Sequence, residues 1–124
     1  MTGLAQRATP PLEASAAPLR RGDVWWVDFD PNRGGEIRRT HPAVVVSADA
    51  LNRVRRTVVV VPLSTGPAPR PPLLVATPSA GLASVAVCDQ LRAVDRSRLI
   101  SQGGRLAGGD LRAVEDGLRA VLAL

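Results

Sequence analysis

The chain is predicted to be mainly β: a barrel of about six to seven short strands closed by one C-terminal helix. Three features predict this. Short β-branched runs recur between Gly- and Pro-rich turns from Val24 to Arg105. Only the last segment places apolar residues at helical spacing, with Leu111, Val114, Leu118, Val121 and Leu122 on one face. The length of 124 residues allows one domain with a modest core, and no internal repeat divides it.

The elements follow in order. Residues 1–19 are rich in Ala, Pro, Thr and Ser, lack a period, and read as a disordered leader; residues 20–124 read as the folded domain. Val24 to Asp30 is β-branched and aromatic, and Pro31 stops it. Side chains alternate across a strand, so Trp25 and Trp26 must face opposite ways. Pro42 to Ser47 reads as a second strand, with proline at the first position, where a missing N–H is tolerated. Asp49 to Arg56 reads as a helical turn with Asp49 as cap. Thr57 to Leu63 is the most apolar run and is expected at the centre of the sheet. Further strands are expected at Leu73–Thr77, Ser84–Cys88, Leu91–Asp95 and Arg98–Arg105. Asp110 is expected to cap the terminal helix, and Gly117 to weaken it by about 1 kcal/mol relative to alanine.

The formal charge is +5, and all 16 basic residues are arginine. Arginine's planar fork donates two parallel hydrogen bonds to a phosphate, so a small basic domain of this kind points to a polyanionic partner. A soluble basic surface has the same composition. A single cysteine, Cys88, excludes an intrachain disulfide, and with one histidine it excludes a Cys/His zinc site. Cys88 ends an apolar strand and reads as a small buried hydrophobe. No run approaches the roughly 18 apolar residues of a membrane span, and the N-terminus lacks the apolar segment of a secretory signal, so the cytoplasm is the expected compartment.

Two loops collect the polar residues that can do chemistry: Asp30–His41 and Ser64–Gly66. From Arg33 to Arg56, six arginines face Glu36 and Asp49, a local +4 out of the total +5. RNA can be cut without metal or water when its 2′-hydroxyl attacks the adjacent phosphorus. A base must take the 2′ proton, an acid or cation must support the leaving 5′-oxygen, and donors must hold the phosphorane oxygens. Glu36 can be the base. His41, the only histidine, belongs to the residue type suited to proton transfer near neutral pH. Arg38 and Arg39 can hold the phosphate, and Ser64 and Thr65 can donate hydroxyl hydrogen bonds. Plainer readings stand beside these: a lone histidine before a proline is more often structural than catalytic. A glutamate among arginines is ordinarily a solvated ion-pair partner worth less than about 1 kcal/mol. Ser-Thr-Gly after a strand is ordinarily turn chemistry.

Arg21 to Pro31, followed by Arg33-Gly34-Gly35-Glu36-Ile37-Arg38-Arg39-Thr40 and Pro42 to Ser47, resembles the opening of the MazF/PemK family of toxins. Pro62-Leu63-Ser64-Thr65 and Cys88 to Asp95 are similar to two later segments of that family, and the order holds from about Arg20 to Leu124. The resemblance implies an SH3-like, PemK-like barrel and a symmetric homodimer. It implies a sequence-specific endoribonuclease that cleaves single-stranded RNA with neither metal nor other cofactor. Its protein partner would be an antitoxin with an acidic tail, operator DNA being contacted only through the antitoxin complex, and no membrane being involved. In the family, an arginine before the second strand's proline acts with a threonine at the end of the third strand. Those positions here are His41 and Ser64, while Glu36 matches a family glutamate. The implied catalytic set is Glu36, Arg39, His41, Ser64 and Thr65. The implied RNA contacts are Asn32, Arg33, Arg38, Arg39, Asp89 and Gln90. Histidine in place of arginine exchanges a fixed charge for a mobile proton. That leaves open a catalytically weakened member that binds RNA or antitoxin, and a gyrase-poisoning toxin on the same barrel.

Overall fold

The computed structural model describes residues 19–29 and 40–124. The strands are β1 (Asp23–Asp28), β2 (Thr40–Val45), β3 (Thr57–Thr65), β4 (Leu74–Ala76), β5 (Ser84–Val87), β6 (Arg92–Asp95) and β7 (Leu99–Arg105). The helices are α1 (Asp49–Val54) and α2 (Gly108–Leu122). The seven strands form one antiparallel sheet in the order β4-β5-β3-β2-β1-β7, with β6 also paired to β3. This agrees with the expected number of strands and the closing helix.

β3 explains the arrangement. Its nine residues, TVVVVPLST, are the chain's strongest β-branched run. One edge pairs with β2, from Val60 to Pro62. The other pairs first with β6, from Thr57 to Val60, and then with β5, from Leu63 to Thr65. Alternation sends Val58 and Val60 to a first core with Trp25, Val27, Ala43 and Val45. It sends Val61 and Leu63 to a second core, where Val24, Val44, Val75 and Cys88 meet Val114 of α2.

Several boundaries differ from the sequence expectation. β1 ends at Asp28, and β2 starts at Thr40, so His41 and Pro42 lie inside the ladder opposite Val27 and Trp26. β3 runs on through Ser64 and Thr65, which are therefore strand residues, not loop. Neither expected aspartate cap caps its helix. Ala48 is the N-cap of α1, and the Asp49 carboxylate accepts the Arg21 amide at 2.7 Å. Ala107 is the N-cap of α2, and Asp110 reaches across to accept from the Ser79 amide and hydroxyl at 2.8 and 2.5 Å. Both aspartates thus serve tertiary contacts. Leu19, placed with the leader by composition, packs into the first core.

Gly117 also reads differently in three dimensions. A Cβ there would stand 2.9 Å from Cys88 Sγ, 3.0 Å from Val75 Cγ2 and 3.1 Å from the Pro72 carbonyl oxygen. The missing side chain lets α2 press onto the β4–β5 layer. Gly117→Ala is therefore expected to destabilise the fold by about 1–3 kcal/mol through overpacking, despite alanine's better helix propensity. Urea unfolding measures this, and a midpoint equal to or above wild type refutes it.

Candidate active site

The site forms where β1, β2 and β3 run out at one rim of the first core. Val27 pairs with His41, so the two side chains share a face, and Phe29, two residues beyond Val27, lies on that face as well. The Phe29 and His41 rings are 6.5 Å apart and tilted by 46°. The β2–β3 ladder ends with Ala43 opposite Pro62, and His41 and Ser64, each two residues beyond that pair, border one cavity. The pair joined in sequence only by resemblance thus lines the same cavity. The Ser64 hydroxyl reaches the Thr65 carbonyl only at 3.5 Å, a long contact that leaves it ready for another acceptor.

Thr65 points the other way. It pairs with Ser84, whose hydroxyl accepts from Thr77 at 2.9 Å in a buried contact. Thr65 and Ser84 line a cavity of about 390 Å³ at the strand ends, bordered also by His41, Ser64, Trp26 and Gly103. Trp25 is buried, whereas Trp26 is 43 % exposed and walls this cavity. A Cβ on Gly103 would stand 3.3 Å from Trp26 Nε1, so a larger residue there would crowd the indole.

Asp89 and Gln90 lie in a single 3-10 turn, both exposed, and neither borders the cavity. Asn32, Arg33, Glu36, Arg38 and Arg39 lie outside the described residues. Two residues at the site went unselected by motif reasoning. One is Trp26; strand alternation showed that the two tryptophans face opposite sides of the sheet, without showing which would be exposed. The other is Arg92, whose guanidinium carbon sits 5.0 Å from the centre of the Phe29 ring. Arg92 pairs with Val60 across the β3–β6 ladder, which carries it to the same face. Its sequence neighbourhood gave no sign of that.

Among the described residues, no group of three or more His, Cys, Asp or Glu is arranged to hold a metal ion. No described helix is long and apolar enough to cross a membrane.

Residues 20–122 match the family model of PemK-like, MazF-like toxins of type II toxin–antitoxin systems. The chain belongs to that family. Among its relatives is the endoribonuclease MazF9 of Mycobacterium tuberculosis (strain ATCC 25618 / H37Rv), 34 % identical over 115 residues, which cover 86 % of this chain and 98 % of the relative. The Escherichia coli endoribonuclease PemK is 35 % identical over 91 residues, covering 70 % of this chain and 66 % of PemK. A MazE–MazF crystal structure from Deinococcus radiodurans superposes with a TM-score of 0.75 at 28 % identity, covering 86 % of this chain and 97 % of that one. A mycobacterial endoribonuclease solved with its cognate antitoxin superposes with a TM-score of 0.72 at 26 % identity, over 86 % and 96 % of the two chains. The SH3-like, PemK-like barrel expected from the sequence is thus the fold of solved MazF toxins.

Cys88 takes no part in this site. It is fully buried, and burial first, then the Asp89 charge, pushes its thiol up to about 11. A thiol that is neither charged nor reachable is not a nucleophile. Iodoacetamide at pH 8 is expected to leave the native protein unmodified and to label Cys88 fully once the protein is unfolded. Labelling of the native protein at the unfolded rate, read by intact mass, would overturn this.

Proposed function

We propose that this toxin is a sequence-specific endoribonuclease that cuts single-stranded RNA in the cytoplasm, without a metal ion, and thereby inhibits translation. The observation that carries the reading is that His41, Ser64 and Thr65 line one cavity walled by Trp26. The O2′–P bond forms and the P–O5′ bond breaks, leaving a 2′,3′-cyclic phosphate and a 5′-hydroxyl. Glu36 takes the 2′ proton, and His41 supplies a proton to the departing O5′. The Ser64 hydroxyl donates to a phosphorane oxygen. Asn32, Arg33, Arg38 and Arg39 hold the flanking phosphates. Thr65 acts from the cavity side, where Trp26 offers an exposed face for an unstacked base, the usual means of reading single-stranded RNA.

The protein works as a homodimer, and a cognate antitoxin silences it. Leu122 and Leu124 are exposed at the end of α2 and supply apolar surface for a subunit contact. Operator DNA is reached only through the antitoxin complex. Sedimentation equilibrium at micromolar concentration is expected to give twice the mass of one chain; a single-chain mass refutes the dimer.

Cleavage is tested by incubating the protein with a long, mostly single-stranded RNA in EDTA and sequencing the new ends. Cuts are expected at one short motif. His41→Ala is expected to lose about 10²–10⁴-fold of the rate. His41→Arg is expected to keep or raise activity near neutral pH, because a fixed charge then faces the phosphate. A His41→Ala variant with the wild-type rate would remove His41 from the chemistry. A wild type that cuts at no pH would refute the nuclease reading.

A further inference from the structure

A phosphodiester in this site needs a permanent positive charge beside it, and histidine at 41 does not supply one. We propose that Arg92 is that charge: its guanidinium, laid over the Phe29 ring beside His41, binds the non-bridging oxygens of the phosphate at the scissile bond. The inference rests on the proposed nuclease reading and adds a phosphate-binding residue to it.

Three observations meet at Arg92. The first is placement. Val27 pairs with His41 and Val60 with Arg92, and Val27 and Val60 lie in the same core, so both polar residues emerge at that core's rim. The second is restraint. The Arg92 guanidinium carbon is 5.0 Å from the Phe29 centroid, and that ring is 6.5 Å from the imidazole, so one aromatic ring separates cation from proton donor. The third is availability. Among the described residues, Arg21, Arg56, Arg105 and Arg119 each pair with a carboxylate, whereas Arg92 has no such partner and is exposed. Arg96 is buried and committed to the Asn52 carbonyl. An exposed guanidinium with no carboxylate partner, set against the ring that also neighbours His41, is suited to bidentate phosphate recognition.

The two roles are then complementary: His41 moves a proton, and Arg92 holds charge that does not titrate. A fixed charge placed at 41 should make Arg92 largely redundant, whereas an arginine that merely covers a ring would show no such dependence. The test is a double-mutant cycle on cleavage together with binding to a 2′-O-methyl RNA of the same sequence, which cannot be cut. Arg92→Ala is expected to lower kcat about 10²–10³-fold, the usual cost of one charge-stabilising donor. The loss is expected to shrink to less than about tenfold in the His41→Arg background, and Arg92→Lys should lie between. On the uncut RNA, the slope of log affinity against log salt is expected to fall by about 0.7, one phosphate contact on a single strand. Unchanged kcat and salt slope in a folded Arg92→Ala protein would overturn the proposal, as would equal losses in both backgrounds. Cleavage failure in the wild type would sink the nuclease reading, while the salt slope would still decide whether Arg92 holds a phosphate.

Discussion

The structure depends on one strand being buried on both faces. β3 pairs with three of the other six strands: β2 lies along one edge, and β6 then β5 lie along the other. Val58, Val60, Val61 and Leu63 are at most 2 % exposed. Two cores grow from the two faces, and α2 covers one of them. At about 25 cal/mol per Å² of apolar surface removed from water, a strand this fully enclosed outweighs any single polar contact on the surface. That is why the aspartates at the helix starts can serve tertiary partners: the helices are fixed by what they cover, not by their caps.

The same strand makes the site. Its apolar run stops at Leu63, and the polar Ser64 and Thr65 continue the ladder past the core. Alternation turns Ser64 and Thr65 to opposite faces of the strand, yet both border the cavity that Trp26 and His41 also line. The end of one ladder thus gathers an imidazole, an indole and hydroxyls around one cavity. Preorganised groups on strands suit a reaction in which charge develops on oxygens whose positions are known in advance.

Around the barrel, ion pairs fasten the ends of elements. Arg21 pairs with Glu115 of α2 at 2.5 Å, and Arg105 of β7 with Asp23 of β1 at 2.5 Å. Asp23 is nearly fully buried and also accepts the Arg20 amide at 2.9 Å, so this carboxylate is satisfied from two sides. Part of the all-arginine basic set thus holds the fold.

The sequence by itself determined the fold class. Alternation and β-branching place Val24–Val27, Val44–Val46 and Val58–Val61 in strands, and the spacing of Leu111, Val114 and Leu118 makes a helix, because these periods report which side of an element is apolar. It also determined that the two tryptophans face opposite sides of the sheet and that Cys88 is a small buried hydrophobe. Local pattern failed where the deciding neighbour is distant in the chain. Gly117 reads as a helix defect until Cys88 and Val75 are set against it. Asp110 reads as a cap until Ser79 is near. Ser64 and Thr65 read as one polar loop until strand pairing turns them to opposite faces. Arg92 reads as any surface arginine until the β3–β6 register lays it over Phe29. Periodicity along the chain carries the direction in which a side chain points; which partner it meets is set by register between strands far apart in sequence, and only the tertiary structure decides that.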